Sequence, residues 1–251
     1  MKRLPFARLL AVTIFSFALT MISNTLEPSV LGHKVLELVP ASRNTALGFT
    51  TFAGLIVAVL VQPIVGVFSD RTRSRWGRRL PYCAAGIVLV AASLYLIALA
   101  PAFGLVVAGV LLIQLGSNTI QGPWQAMIPD LVPEDQRGRA SGLKAMLDIL
   151  AFVVGRLVAG ILVSRYPTWG STAIVAAVSV PVIILIAALA FTAWGARESS
   201  ISAVDPPKLT VRQALVNTFT VDWRGYPAFG RWFANRLAFW GAFILLNTFM
   251  H

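Results

Sequence analysis

Long uncharged runs alternate with short knots of charged residues down the whole chain. A helix needs roughly 20 mostly apolar residues to cross the hydrocarbon core of a bilayer, and the runs predict spans of about that length. The first is Leu9 to Leu26 and the second Asn44 to Ser69. No residue from Leu80 to Pro129 is charged, which fits two helices folded back at Ala100-Pro101-Ala102-Phe103-Gly104, where proline and glycine punctuate the chain. Arg139 to Ser164 is apolar apart from Lys144, Asp148 and Arg156, and Tyr166 to Ala196 supplies a sixth span. Residues 197–226 turn polar, with Ser199, Ser200, Ser202 and Pro206-Pro207, and read as a linker. Pro227 to Met250 then reads as a seventh span, with Arg231 and Arg236 near its start. The expected architecture is all-α and integral to the membrane: a six-helix bundle at 1–196, a cytoplasmic linker at 197–226, and the first helix of a second bundle at 227–251.

Composition agrees. The chain is 57% hydrophobic and 12% charged, with a mean hydropathy of +0.76, far from the roughly 25% charged residues of soluble domains. A net charge of +11 would suit nucleic acid only if the basic residues covered one solvated face. They sit in knots between apolar runs instead, so no nucleic-acid partner is expected. One cysteine, Cys83, forms no disulfide within the chain, and His33 and His251 beside it give no zinc spacing, so no metal and no cofactor are expected. The opening MKRLPFARLLAVTIFSFALTMISNT also resembles a secretory signal, but no small-x-small cleavage site follows, and the later helices need it for their parity. With the amino terminus in the cytoplasm, fourteen basic residues fall inside, and the far side receives only Lys34, Arg43 and Arg165. The positive-inside rule therefore fixes that orientation, in a plasma or inner membrane.

Orientation alone does not explain GVFSDRTRSRWGRR, residues 66–79. Asp70 lies at the carboxyl end of its helix, facing the helix's own negative pole and a negative lipid surface, so it needs a partner. Gly66, one turn back, leaves room for a neighbouring helix, and Gly77 lets a short loop reverse. GxxxDR followed by a basic run and GRR, between the second and third of six helices, resembles the signature loop of the major facilitator superfamily. GPWQAMIPDLVPEDQRGRASG, residues 122–142, resembles the corresponding loop between the fourth and fifth helices of sugar-type members. The SDRTRSRWGRR spelling is similar to that of glycoside-pentoside-hexuronide cation symporters and their sucrose-transporter relatives. The resemblance implies a secondary active transporter in which two six-helix halves rock about a central site. It implies a conformational latch at Gly66, Asp70, Arg71, Gly77, Arg78 and Arg79, and a small-molecule solute with H+ or Na+ as coupling ion. Many members carry an arginine in the fourth helix that is absent here, which puts proton antiport of that type in doubt.

Polar stripes mark where a solute would sit. Gln114, Asn118, Gln121 and Gln125 fall within an arc of about 60° at 100° per residue, and Thr13, Ser16, Thr20, Asn24 and Glu27 within about 100°. Such stripes suggest a wet cavity; the alternative is that they glue helices together, most plainly for Ser16 and Thr20. The substrate candidates are Gln114, Asn118, Gln121, Gln125, Thr20 and Asn24, since amides and hydroxyls both donate and accept. Trp124 is a candidate ring-stacking residue, and Glu27 and His33 read as solvated. Asp148 lies about 14 Å beyond Arg139, near the midplane, with Lys144 one turn below it. Two readings stay open: a carboxylate that couples a cation, or a structural ion pair. Arg156 lies about 12 Å further out and is rotated by about 80°, too far for contact with Asp148.

The chain ends after one helix of the second half that the resemblance implies. The expectation is a truncated half, with a split transporter or a homodimer of half-size chains as alternatives; a missing second half or dimer partner is then required. Enzymes are not expected: no GxSxG, phosphate loop or GxGxxG occurs, and no histidine lies in a span. The other reading is a membrane interaction protein that carries no solute.

Overall fold

The computed structural model describes residues 3–195, 210, 212, 213, 216, 220 and 225–249, except the side chains of 24–28, 240, 241 and 243–249. Two compact units divide at Pro207/Lys208. In the first, α1 (Phe6–Thr13) and α2 (Phe15–Thr25) make one span with a break at Ile14, followed by a π turn at Leu26–Leu31 and α3 (Gly32–Leu38). There follow α4 (Arg43–Arg71), α5 (Leu80–Ala98), α6 (Phe103–Leu131), α7 (Glu134–Val163), the single turn α8 (Tyr166–Trp169) and α9 (Ser171–Gly195). Among the described residues six helices are long and apolar enough to cross a membrane. The second unit contains α10 (Pro227–Phe249).

Boundaries follow local chemistry. The span expected from Arg139 begins at Glu134, because Pro133 precedes it and Glu134 and Asp135 place negative charge at the positive pole of α7. The run expected to be continuous from Tyr166 is broken at Gly170, whose φ of 57° ends the turn α8 before α9 starts. The α5–α6 hairpin turns at 99–102, inside the predicted punctuation.

Packing relies on small residues where helices cross. A Cβ on Gly86 of α5 would lie 2.7 Å from the Gly116 carbonyl oxygen of α6, and one on Gly116 would lie 3.0 Å from the Gly86 oxygen. Backbones therefore meet there without side chains between them. Gly195 of α9 is packed against Ala11 of α1, and Gly155 of α7 lies against Met21 of α2. Around these contacts Phe15, Leu94, Ile97, Ile120, Trp124, Ile174 and Leu185 are buried. Polar bonds also tie spans together, among them the Tyr95 and Ser179 hydroxyls at 2.9 Å and the Thr192 hydroxyl donating to the Ala11 carbonyl at 2.6 Å. The helix α4 buries only Ala46, Thr50, Gly54 and Ser69, and leaves Phe49, Phe52, Leu55, Ile56 and Val59 exposed. For a helix in lipid such exposure costs little, since lipid tails are as apolar as a protein core.

Candidate functional site

At the arginine-rich end, Gly77 has a φ of 92°, so the short 72–79 loop reverses where only glycine is unstrained. That turn folds Arg79 inward until its side chain is 5% exposed. Its Nη2 donates to Asp130 Oδ2 at 2.6 Å and lies 3.2 Å from Asp70 Oδ1, while Nη1 donates to the Pro123 carbonyl at 3.1 Å. Arg78 Nη2 donates to the same Asp130 oxygen at 2.6 Å. The expected partner of Asp70 is therefore present, as Arg79. The larger role belongs to Asp130, which the sequence reading passed over although it stands at the carboxyl end of α6 just as Asp70 does at that of α4. The same test, a carboxylate at the wrong pole of its helix, would have found it. Arg71 is half-buried on the last turn of α4, where its charge suits the negative pole. A Cβ placed on Gly66 would meet nothing within 4 Å, so nothing described uses the space the glycine leaves.

The same end is strapped to the amino terminus. Gln136 is 3% exposed; its Oε1 accepts from the Leu4 N–H at 2.7 Å and its Nε2 donates to the Leu4 carbonyl at 3.1 Å. Arg3 pairs with Asp135 at 2.9 Å beside it.

Halfway along α7, Lys144 Nζ donates to Asp148 Oδ2 at 2.8 Å, one turn apart, and the Thr20 hydroxyl of α2 donates to Asp148 Oδ1 at 3.0 Å. Lys144 also stands 5.8 Å from the centre of the Trp124 ring of α6, and the Ser16 hydroxyl donates to the Lys144 carbonyl at 3.4 Å. Three spans thus meet on one ion pair. Both partners remain about a third exposed, at 32% and 30%, so the pair opens onto accessible space. Among the described residues Lys144 is the only charged partner of Asp148. Arg156 is not part of this group; it is exposed, with its guanidinium 5.6 Å from the Phe152 ring.

The polar stripe of α6 divides in two. Gln114 and Asn118 bond to each other: Asn118 Nδ2 donates to the Gln114 carbonyl at 2.8 Å and to its Oε1 at 3.4 Å. Asn118 is 6% exposed, and Gln114 packs over Gly54 of α4, 3.1 Å from where a Cβ would stand. Gln121 and Gln125, half-buried and exposed, keep their amides free of protein hydrogen bonds among the described residues. Thr13 donates to the Leu9 carbonyl of its own helix, and the side chains of Asn24 and Glu27 lie outside the described residues. Trp124 cannot stack on a solute here. It is 1% exposed, its Nε1 donates to the Val12 carbonyl at 2.7 Å, and its ring lies 6.3 Å from that of Phe15. The indole holds the backbone just before the break at Ile14. His33 is not simply solvated either: its Nε2 is buried without a partner and its ring lies 4.2 Å from that of Tyr166.

Comparison with known proteins adds a family. The description Major Facilitator Superfamily matches residues 6–251. The chain is 27% identical over 202 residues to the sucrose transport protein SUT4 of Oryza sativa subsp. indica, a match covering 67% of this chain and 34% of that protein. It is 31% identical over 133 residues to the sucrose transport protein SUT1 of Oryza sativa subsp. japonica, covering 43% and 25%, and 29% identical over 133 residues to SUC3 of Arabidopsis thaliana, covering 43% and 22%. These matches span between 22% and 34% of each relative's length.

Proposed function

The chain belongs to the Major Facilitator Superfamily, and from that membership we propose that it is the amino-terminal half of a secondary active transporter moving a sugar or glycoside by alternating access. The observation that carries this reading is the Asp148–Lys144 pair, about a third exposed, bonded to α2 through Thr20 and placed halfway along a membrane-spanning helix. A charge at that depth costs about 2.5–3.5 kcal/mol to insert, and carriers keep their sites near the midplane. The relatives' names supply the solute class.

In this reading Asp148 is the coupling carboxylate. A proton or sodium ion that binds it replaces Lys144 as counter-charge, and the freed ammonium has the face of Trp124 beside it. Gln121 and Gln125, with unengaged amides, take the sugar hydroxyls. Arg79, held by Asp130 and Asp70, latches the cytoplasmic end in one state, and the open flank of Gly66 receives a helix of the second half. The amino terminus is cytoplasmic, because the basic residues gather at its end of the bundle.

The competing reading is a structural ion pair, favoured by the Ser16 bond that zips α2 to α7 at the same level. Asp148→Asn and the double variant Lys144→Gln/Asp148→Asn, made in the intact carrier, separate the two. The single variant leaves a lone ammonium, and both readings expect it to be less stable. The double variant is expected to regain thermal stability and still exchange labelled sucrose, while losing accumulation driven by a cation gradient. Full gradient-driven accumulation by the double variant would leave Asp148 a structural residue only.

A further inference from the structure

At the end of the bundle away from the arginine loop, α3, the α5–α6 hairpin, α8 and the first turn of α9 enclose a cavity of about 280 Å³, room for about nine waters. Its walls include Lys34, Glu37, Leu99, Tyr166, Ser171 and Ile174. Lys34 is the unusual member. Its side chain is 8% exposed, and its ammonium gives one hydrogen bond, to Glu37 Oε2 at 3.0 Å. An ammonium has three protons to donate, so two are left without an acceptor among the described residues in a nearly buried group. Leaving a buried charged donor unengaged costs more than leaving a neutral one, so the site calls for acceptors from outside the chain. Glu37, 39% exposed, keeps its other oxygen free to accept. The Tyr166 and Ser171 hydroxyls make no side-chain hydrogen bond among the described residues.

This donor–acceptor couple has a definite complement. Lys34 and Glu37 together carry no net charge, so a carboxylate ligand meets Glu37 and an amine meets Lys34, each at a cost. A vicinal diol incurs neither cost. One hydroxyl oxygen accepts from Lys34 Nζ while the neighbouring hydroxyl donates to Glu37, and the two further hydroxyls widen the set. Leu99 and Ile174 offer an apolar wall to the C–H face of a sugar ring, the usual division of labour in a small-molecule site. We propose that this cavity binds a vicinal diol of a saccharide, as a second site separate from the mid-bundle ion pair. The saccharide class rests on the transport reading above; the diol chemistry rests on Lys34 and Glu37.

Four lysines occur in the chain, and two of them, Lys34 and Lys144, report on the two sites separately. The experiment is reductive methylation of the purified protein with formaldehyde and dimethylamine–borane, with the rate at each lysine read by peptide mass spectrometry. Sucrose at ten times its dissociation constant is expected to slow methylation of Lys34 about tenfold, as occupancy requires. Polyethylene glycol at equal osmolality gives no protection, and Glu37→Leu, which removes both acceptor oxygens at a partly solvated position, abolishes the protection by sucrose. Protection of Lys144 without Lys34 overturns the second site and leaves the transport reading standing. Protection of Lys34 alone supports the second site and withdraws support from a sugar at the ion pair. No protection of either lysine overturns the cavity as a saccharide site. A matched pair of nanodiscs, phosphatidylglycerol against phosphatidylcholine, tests the other source of a diol. Protection of Lys34 by phosphatidylglycerol and not by sucrose overturns the saccharide assignment in favour of a lipid glycerol headgroup.

Discussion

Arg79 shows how one residue organises a region. Its guanidinium, 5% exposed, bonds through its two terminal nitrogens to Asp130 and Pro123 on α6 and lies against Asp70 on α4, so the loop closes by binding two helix ends at once. The two carboxylates are not equivalent. Asp130 accepts from two arginines at 2.6 Å, whereas Asp70 stands 3.2 Å away and is 56% exposed. Asp130→Asn is expected to lower stability by about 1.5–3 kcal/mol, the range for a hydrogen bond to a charged group. Asp70→Asn should cost less, because that carboxylate is 56% exposed and solvent screens its longer contact. Thermal midpoints of the two variants in one detergent check the order, and a larger loss at Asp70 would contradict the geometry. That Asp70 needs a partner was legible from charge and helix polarity, whereas Arg79 was marked only by the family resemblance. Asp130 stood in the same position on its own helix, but only the folded loop shows that both arginines converge on it.

Between elements, the contrast lies in where glycine is used. Gly86 and Gly116 let α5 and α6 touch backbone to backbone, so Gly86→Val must push the helices apart and should cost about 1–3 kcal/mol or more. A Cβ at Gly66 meets nothing within 4 Å, so Gly66→Val should leave bundle stability nearly unchanged. A thermal melt of both variants tests the pair: equal losses would mean that Gly66 also packs within this bundle. Sequence spacing cannot separate Gly86 from Gly66, since both lie in apolar helices. The α6 stripe makes the same point. Its four amides share an arc of about 60°, yet Gln114 and Asn118 bond to each other while Gln121 and Gln125 remain free. The division arises because Gly54 admits Gln114 against α4, a fact of packing and not of period. Trp124, adjacent to Gln125, is likewise turned inward to hold the Val12 carbonyl.

Across the whole molecule, the first unit segregates its charges. The amino terminus, the 72–79 loop and the 131–137 turn share one end, tied by Arg78–Asp130, Arg3–Asp135 and Gln136–Leu4, and Lys34 and Glu37 lie at the other. If that basic end is cytoplasmic, Arg75→Cys should resist a membrane-impermeant thiol reagent in intact cells and Ser171→Cys should react. Cys83 is the only native cysteine and is buried, so background labelling should be low. Reaction at position 75 and not at 171 would invert the topology. The sequence by itself determined the six spans, the asymmetry of charge, the turn at Gly77 and the one-turn pairing of Lys144 with Asp148, because hydropathy, the helical period and glycine's freedom act within a few residues. Only the tertiary structure decided that Asp130 anchors Arg79, that Trp124 is core, that Thr20 joins the ion pair, and that Lys34 is nearly buried in a cavity of four elements. In a bilayer, lipid and protein interior are equally apolar, so the pattern says that a helix crosses the membrane but not which of its faces meets a neighbour.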